Sequence, residues 1–376
     1  MSSNKKIVFL TGTRADFGKI KSLLLTLEAH PKFKVYVFVT GMHLMEEYGY
    51  TLIEIERCGF TNVHTFENHT CESTMDLTMA KTIEGFSSYV KTIGPDLMVI
   101  HGDRVEALAG AVVGSLNNIL VAHIEGGELS GTIDELIRHS VSKLSHVHFV
   151  SNDQAKKRLL QMGELEKSIY VIGSPDVDIM FSDSLPQISK VKTYYEIPFE
   201  NYGVAMFHPV TTEVDFMETH ANQFVSALLK SDKNFVVVYP NNDLGSKHIL
   251  NAYKNLEDNS RFRVFPSLRF EYFLTLLKEA DFIVGNSSAG VREAPYYDVP
   301  TINIGTRQQN RAIDRSIINV NYDKESIGIA LENVCDIKTK KETSFGKGNS
   351  AKLFLKCLEE EDIWWSSNQK IFQDLE

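Results

Sequence analysis

Three carboxylates in the first half of the 376-residue sequence stand where a charge is costly or reactive. Asp103 follows the apolar run Leu97–His101, and Glu125 follows the run Leu120–Ile124, directly before two glycines. A charge at the end of an apolar strand is unfavourable unless a partner or ligand uses it. Asp134 lies farther along, at the start of a predicted helix, where a first-turn acid is also common. Carboxylates that share one site repel, so one of them can hold a proton near neutral pH, which suits acid–base chemistry on a sugar.

Basic and amide side chains suited to phosphate or sugar binding also follow predicted strands. The carboxyl ends of parallel strands meet at one edge of a sheet, so convergence of several such residues is stronger evidence for a site than any single motif. The set consists of Arg14 in GTRADFGK, Arg104 in IHGDR, His208 in FHPVTTE, Asn241 in PNNDLGS and Arg307 in GTRQQNR.

The segment GNSSAGVREA follows a further predicted strand and resembles the start of a helix. Ser287 and Ser288 stand where exposed backbone amides could bind a phosphate, because a helix N-terminus carries partial positive charge. Glu293 is predicted about two turns into that helix, where its carboxylate could accept hydrogen bonds from a ribose diol. An ordinary capped helix explains the same serines, since serine is a favoured N-cap.

Short apolar runs alternate with amphipathic segments throughout the chain, which predicts parallel sheets covered by helices. We expect two doubly wound, Rossmann-like α/β domains with the ligand in a cleft between them: residues 1–172, joined by a C-terminal helix at 355–376, and residues 173–354. The predicted strands are Ile7–Leu10, Val35–Val39, Leu97–His101, Leu120–Ile124, Val147–Val150, Tyr170–Ile172, Tyr202–Phe207, Phe235–Tyr239, Arg263–Phe265, Phe282–Val284 and Thr301–Asn303. The first predicted helix begins at Lys19, which leaves Arg14 in a loop.

The net charge, the apolar runs and the cysteines limit the partners and the cellular location that we expect. The formal net charge of −10 argues against binding nucleic acid or an anionic membrane. No apolar run has the length of a membrane span or of a signal sequence, so we expect a cytoplasmic protein. The four cysteines, Cys58, Cys71, Cys335 and Cys357, have no zinc-like spacing and are expected to be free thiols.

Two short motifs could suggest a metal. Asp176 and Asp178 form a D-x-D pair, but Ser-Pro-Asp is also a common turn, and no further oxygen ligands are identifiable around the pair. His146 and His148 would share one face of a strand, where a partly buried strand edge is the simpler interpretation. We therefore expect no metal site.

Taken together and in order, the motifs GTRADFGK, TGMH, IHGDR, HIEGGELSGTIDELIRHSVSKLSH, IGSPD, FHPVTTE, PNNDLGS, GNSSAGVREAP and GTRQQNR resemble the hydrolysing UDP-N-acetylglucosamine 2-epimerases of bacterial sialic acid biosynthesis. The resemblance runs from about residue 5 to residue 315. It implies a glycosyltransferase-B-like fold, no metal or cofactor, and conversion of UDP-N-acetylglucosamine and water to UDP and N-acetylmannosamine through 2-acetamidoglucal. We also expect a homo-oligomer, a dimer or a tetramer.

The resemblance also assigns residues. It makes Asp103, Glu125 and Asp134 the catalytic carboxylates, without distributing acid and base roles among them. It assigns to UDP and its sugar the residues Arg14, Arg104, His208, Asn241, Ser287, Ser288, Glu293 and Arg307. Gly18 departs from the family pattern, because some relatives have a nucleotide-contacting serine there.

Three other functions remain open from the sequence. A UDP-linked 2,4-diacetamido-2,4,6-trideoxy sugar, used for legionaminic acid, would fit the same motifs. A retaining glycosyltransferase of the same fold would need an acceptor site but not three carboxylates in the first domain. A non-catalytic sensor of sugar nucleotides would bind the same ligand without turning it over.

Overall fold

The computed structural model describes residues 4–69, 74–308, 316–337 and 344–374, and its chain divides into two compact units. Unit 1 comprises residues 1–128, 134–182 and 344–376, and unit 2 comprises residues 129–133 and 183–343. Residues 173–182 and 344–354, expected in the second domain, therefore lie in unit 1. The connection between the units falls after the Ser-Pro-Asp segment because that segment packs in unit 1, where Ser174 N donates to Phe345 O.

Unit 1 is built on a parallel sheet of seven described strands. The order is β3-β2-β1-β4-β5-β6-β7, so the chain reverses direction across the sheet between β1 and β4, the point where doubly wound sheets bind ligands. Their bounds are β1 Lys5–Thr11, β2 Phe33–Val39, β3 Val63–Thr65, β4 Leu97–His101, β5 Leu120–Ile124, β6 Val147–Val150 and β7 Ile169–Val171.

Unit 2 repeats this arrangement with six described parallel strands in the order β10-β9-β8-β11-β12-β13. Its switch point lies between β8 and β11, which pair in register from Gly203 opposite Phe282 to Met206 opposite Gly285. The bounds are β8 Gly203–Met206, β9 Phe235–Val238, β10 Phe262–Phe265, β11 Phe282–Gly285, β12 Thr301–Ile304 and β13 Ile317–Val320. The sequence analysis missed β3 and β13, which are short edge strands that are incompletely buried.

Helices connect the strands and cover both sheets. The described α-helices are α1 Arg14–Glu28, α2 Leu52–Glu56, α3 Met75–Ile93, α4 Val105–Leu116, α5 Ile133–Leu144, α6 Asp153–Gln161, α7 Asp176–Met180, α8 Ile188–Tyr194, α9 Met217–Lys230, α10 Ser246–Tyr253, α11 Phe270–Lys278, α12 Lys324–Asn333 and α13 Ser350–Glu359. Short 3₁₀ helices span Gly41–Leu44, Glu46–Tyr48, Glu166–Ser168, Thr211–Phe216, Lys254–Leu256, Ser288–Gly290, Ala294–Tyr297, Val334–Asp336 and Glu361–Trp365.

Helix α1 begins five residues before its predicted start at Lys19. Thr13 is the N-cap, and its hydroxyl oxygen accepts a hydrogen bond from Asp16 N at 3.1 Å. The Asp16 carboxylate accepts from Gly12 N at 3.1 Å, which ties the first turn of the helix to the residue before the cap. Arg14 and Gly18 are therefore helical, and the loop after β1 is shorter than expected.

The chain end returns to unit 1. Phe354 and Leu358 of α13 are buried in the same core as Phe9 and Phe149. The helix ends at Glu359, before much of the segment predicted as helical. Beyond the helix, Trp364 packs against this core, whereas Trp365 is 79% exposed and Phe372 is 82% exposed.

Candidate active site

Glu125 lies directly after β5 and is 2% exposed. Its backbone has φ of +64°, a left-handed conformation that costs a non-glycine residue on the order of 1–3 kcal/mol. Two bonds hold the backbone there: Glu125 N donates to Phe149 O at 2.9 Å, and Arg138 Nη1 donates to Glu125 O at 2.7 Å. The surrounding structure thus fixes the direction of this buried carboxylate.

Donors and cations surround the Glu125 carboxylate. Ser174 Oγ donates to Oε1. His101 Nε2 lies 3.3 Å from Oε2, and Lys19 Nζ lies 3.8 Å from the same oxygen. The His101 ring is bound on its other side by Asp16, whose Oδ1 is 2.8 Å from Nδ1. This environment favours the ionised form of Glu125.

The pKa of His101 reflects these two carboxylates. Burial has the largest single influence and lowers the pKa, but Glu125 and Asp16 together outweigh it and raise the pKa to about 9. His123 on β5 behaves oppositely, because burial lowers its pKa to about 3. Its ring lies between Gly102 O at 2.8 Å and Ser142 Oγ at 3.0 Å. At neutral pH the first ring is a cation and the second is a neutral structural group.

Arg138 joins two of the three predicted catalytic carboxylates. Its guanidinium is 2% exposed, and Nη2 donates to Asp103 Oδ2 while Nη1 holds the Glu125 carbonyl. Asp134 lies four residues before Arg138 on α5, so the two side chains share one face of the helix. The structure thus gathers Asp103 and Glu125 around one buried arginine and places Asp134 a turn away on the helix that carries it.

Two predicted ligand-binding arginines lie at the strand ends of unit 1. Arg14 is the first residue of α1, where a cation opposes the helix dipole, so an anionic partner would stabilise it there. Arg104 is the N-cap residue of α4, and its Nε lies 3.7 Å from Glu106 Oε2. Both follow strands next to the switch point between β1 and β4.

In unit 2, Asn286 forms hydrogen bonds with three polar residues, His208, Arg307 and Gln308. Its side chain accepts from His208 N at 2.6 Å and donates to His208 O at 2.8 Å. Its carbonyl accepts from Arg307 Nη1 at 3.2 Å and from Gln308 Nε2 at 2.9 Å. His208 Nδ1 accepts from Asn241 N at 3.1 Å, which leaves Nε2 of the neutral ring as a donor. The expected convergence of His208, Asn241 and Arg307 is therefore present.

The serine segment differs from its prediction. Ser287 is the N-cap of a three-residue 3₁₀ helix, Ser288–Gly290, and its hydroxyl accepts from Ala289 N at 3.3 Å. A second 3₁₀ helix, Ala294–Tyr297, has buried Glu293 as its N-cap residue. The prediction of one helix with Glu293 two turns inside it is wrong. Two short helices do not build the dipole of a long one, so any anion would meet individual amides.

The chain passes briefly from unit 1 into unit 2 between two of the predicted catalytic residues. Between Glu125 and Asp134 the chain enters unit 2 at residues 129–133. There Gly131 N donates to Arg307 O at 3.2 Å. A Cβ at Gly131 would lie 2.5 Å from Thr306 O, so this close approach requires glycine.

The motifs that could have suggested metals have other roles. Asp178 caps α13, accepting from Ser350 N at 2.8 Å and Ala351 N at 2.7 Å. Asp176 Oδ2 lies 3.7 Å from Lys19 Nζ. His148 is bound to Glu164, with 2.9 Å between Nε2 and Oε2, and His146 Nε2 contacts Asn368 O at 3.1 Å.

The described ranges also bear on the expected absence of metal sites and membrane spans. No group of three or more histidine, cysteine, aspartate or glutamate side chains there could hold a metal ion. Within the same ranges, no helix is both long and apolar enough to cross a bilayer. Cys58, Cys335 and Cys357 are free thiols, and Cys71 lies outside the described residues.

The sequence analysis missed five residues that organise the site. All five lay inside quoted motifs but looked structural. His101 ended a predicted strand, Asp16 stood in a predicted loop, and Asn286 preceded the predicted helix of the serine segment. Lys19 began a predicted helix, and Arg138 stood one turn into another. Spacing offered one usable signal, since Arg138 stands one turn after Asp134.

Two doubly wound parallel sheets, each with polar groups collected at its strand ends, define a Rossmann-like class of α/β protein that resembles glycosyltransferase-B-type folds. The solved structure of Methanocaldococcus jannaschii UDP-GlcNAc 2-epimerase in complex with UDP-GlcNAc and UDP has the same fold, with a TM-score of 0.80 at 23% identity, covering 94% of this chain and 99% of that one.

Sequence comparison gives the family. The profile described as UDP-N-acetylglucosamine 2-epimerase matches residues 25–359. A UDP-N-acetylglucosamine 2-epimerase of Neisseria meningitidis serogroup B is 49% identical over 99% of both chains. A UDP-N,N'-diacetylbacillosamine 2-epimerase (hydrolyzing) of Legionella pneumophila is 32% identical over 92% of this chain and 93% of its own. The chain belongs to the UDP-N-acetylglucosamine 2-epimerase family, which confirms the resemblance read from its motifs.

Proposed function

We propose that the chain hydrolyses and epimerises UDP-N-acetylglucosamine, giving UDP and N-acetylmannosamine through 2-acetamidoglucal, as the first step of sialic acid synthesis. The observation that carries the proposal is the buried carboxylate of Glu125, held in a left-handed conformation beside two cationic side chains and one arginine away from Asp103. Family membership supports the same chemistry.

The first stage is an elimination. A carboxylate takes the proton from C2, the C2–H electrons form the C1=C2 double bond, and the C1–O electrons leave with UDP. Departure of a diphosphate develops negative charge, which preorganised cations and amides stabilise. Arg14, Arg104 and His208 are suited to this role.

The remaining nucleotide contacts are assigned to unit 2. Asn241, Arg307 and His208 would bind UDP together. Asn241 bonds to His208 directly, and Arg307 is connected to His208 through Asn286. Ser287 and Ser288 would offer hydroxyls and amides to phosphate, and the carboxylate of Glu293 would accept from a ribose diol.

The second stage is a hydration. Water adds to C1 and gives up one proton to a carboxylate, while a proton is delivered to C2 from the face opposite to the one that lost it. This delivery inverts C2. The groups proposed for acid and base work over both stages are Asp103, Glu125 and Asp134, and each positioned proton-transfer group is typically worth about 10²–10⁴ in rate. No step calls for a metal or an organic cofactor.

Isotope incorporation tests this route. In D2O, the released N-acetylmannosamine should carry deuterium at C2, observed as loss of the C2 proton signal in the NMR spectrum. Added 2-acetamidoglucal should be hydrated to the same sugar. Product that keeps protium at C2 in D2O would instead point to internal transfer or to oxidation and reduction, and the carboxylate mechanism would be abandoned.

A second sugar has one observation in its favour, the 32% identical Legionella relative named for UDP-N,N'-diacetylbacillosamine. The relative named for UDP-N-acetylglucosamine is closer, at 49% identity. We therefore expect kcat/KM to be higher for UDP-N-acetylglucosamine when both sugars are assayed in parallel. The opposite order would move the protein to the legionaminic acid branch.

The setting of the protein is also proposed. UDP-sugars are cytoplasmic metabolites, and we place the enzyme in the cytoplasm with no nucleic-acid or membrane partner. We expect a homodimer or homotetramer, which sedimentation velocity at micromolar concentration will distinguish from a monomer.

A further inference from the structure

His101 lies between two carboxylates in the interior of unit 1. Its side chain is 7% exposed, its Nδ1 is 2.8 Å from Asp16 Oδ1, and its Nε2 is 3.3 Å from Glu125 Oε2. Nε2 makes no hydrogen bond within the described part of the chain. The ring therefore directs a buried N–H donor toward Glu125 Oε2, and this donor makes no full hydrogen bond to that oxygen.

Asp16 fixes the ring in place. Its Oδ2 accepts from Gly12 N at 3.1 Å, and its own backbone amide is bound by the Thr13 cap of α1. Because these bonds tie Asp16 to the start of α1, its Oδ1 is held in place to bind His101 Nδ1. The Asp16–His101 pair is thus a rigid support behind Glu125.

We propose that His101 is a positioning residue, which as an imidazolium keeps Glu125 Oε2 ionised and oriented, and that Glu125 is consequently the base that removes the C2 proton in the first stage. The inference rests on the proposed function and goes beyond it by assigning one carboxylate its role. In that step the proton passes from C2 to Glu125 Oε2, while the imidazolium keeps its proton and its pairing with Asp16.

Charged and titratable groups from neighbouring elements surround this pair. Lys19 on α1 adds a cation 3.8 Å from Glu125 Oε2, and Asp176 at the start of α7 pairs with the same lysine at 3.7 Å. On α5, Arg138 Nη1 donates to the Glu125 carbonyl at 2.7 Å. On β5, His123 has a pKa near 3, lowered mainly by burial, and is neutral at pH 7.

The raised pKa of His101, about 9, agrees with this geometry. The ring remains charged through the neutral range, so it can favour the anionic form of Glu125 wherever the enzyme works. An opposite charge at this range lowers a carboxyl pKa by about 1–3 units. Removing that charge should therefore move the protonation of the base toward neutral pH.

The test compares the pH dependence of kcat/KM in the wild type and in His101→Gln. The acidic limb should move upward by at least about 1 pH unit, and activity lost at pH 6 should partly return at pH 8. UDP affinity should stay within about threefold. His148→Gln is the matched control, because His148 is another buried ring beside a glutamate, but that glutamate is Glu164. The acidic limb of the kcat/KM profile of His148→Gln should stay at the wild-type pH.

Asp16→Asn provides a second variant that retains the imidazole. It removes the anion that holds the ring charged, so the limb should shift in the same direction. An acidic limb that stays in place in both folded variants overturns the inference, whatever the loss of kcat. If His101→Gln does not fold, Asp16→Asn alone decides.

Failure of this inference and failure of the proposed function are separable. Wild-type enzyme that yields no C2-deuterated N-acetylmannosamine in D2O contradicts the proposed function. Wild-type enzyme that yields it, with limbs unchanged in the variants, leaves the function intact and removes only the role given to His101.

Discussion

Replacing Arg138 by methionine should uncouple the proposed catalytic carboxylates Asp103 and Glu125 of unit 1. Methionine roughly preserves the volume of the side chain but removes the donors to Asp103 Oδ2 and to Glu125 O. Loss of a donor to a buried carbonyl costs about 1–3 kcal/mol. The pair with Asp103 adds about 1 kcal/mol, because the Asp103 side chain is 21% exposed and partly screened.

We therefore expect Arg138→Met to destabilise unit 1 by about 2–4 kcal/mol. The consequence for catalysis should be larger than stability alone implies. Glu125 is held in a left-handed conformation partly by this arginine, and a displacement of about 1 Å at a reacting group can cost roughly 10²-fold in rate. We expect kcat to fall by at least about 100-fold at a temperature where the variant is folded.

Arg158→Met is the matched control. Arg158 lies on α6 and donates to Gly127 O at 3.2 Å, so the change again removes an arginine bonded to a backbone carbonyl of this segment. It should cost at most about 1 kcal/mol and leave kcat within about threefold, because its side chain touches no predicted catalytic group. In an Asp103→Asn background, Arg138→Met should cost less than it does alone, by roughly 1 kcal/mol.

Two units need not unfold together, so a single melting temperature is insufficient. Hydrogen exchange of peptides covering residues 120–144 will report on β5 and α5 directly, alongside steady-state kinetics. If Arg138→Met and Arg158→Met match in exchange and in kcat, Arg138 does not hold the site and the reasoning is wrong.

Three further outcomes are expected. His208→Ala should weaken UDP binding at least about tenfold by calorimetry while Glu125→Gln leaves it nearly unchanged, and equal losses would contradict the assignment of nucleotide and acid–base roles. Gly41→Ala should destabilise more than Gly59→Ala, by about 1–3 kcal/mol in thermal unfolding, because both have positive φ but only the Cβ at Gly41 would lie 2.6 Å from a backbone oxygen. Burial lowers the pKa of His43 from 6.5 to about 4, so the stability that this ring contributes is full above pH 6.5 and is lost as pH falls toward 4. Urea midpoints of wild type should therefore decline over that window more than those of His43→Gln; parallel curves would be inconsistent with a buried neutral ring.

The sequence predicted the parts of the site that local pattern determines. Glu125 could be recognised because an acidic residue directly after an apolar strand is not explained by ordinary packing. The strand itself was predicted with its observed bounds. His208 and Arg307 could be recognised because their strands are apolar and end abruptly. In each case the signal lay within about ten residues of the side chain concerned.

The sequence could not predict contacts that depend on which strands are neighbours. Asp16 and His101 are 85 residues apart and meet because β1 pairs with β4, an adjacency that no local pattern encodes. Asn286 meets His208 for the same reason, through the pairing of β11 with β8. Read locally, an asparagine before two serines indicates a cap, and only the sheet order gives it a partner 78 residues away.

The two sheets share one strand order, which explains how the chain divides its chemistry. In unit 1 the strands that flank the switch point are β1, which is followed by Arg14, and β4, which ends at His101 and is followed by Asp103. In unit 2 the equivalent strands are β8, which is followed by His208, and β11, which is followed by Asn286. Each sheet thus offers the same topological position, and a doubly wound sheet leaves backbone amides and side chains free at that position.

What differs between these positions is charge. The strand ends of unit 1 carry carboxylates with cations beside them, which suits the acid–base role proposed for them. The corresponding ends in unit 2 carry an imidazole, amides, hydroxyls and an arginine, which suits the proposed binding of a nucleotide. We infer that the identity of residues at equivalent strand ends, and not the shared architecture, assigns each unit its role.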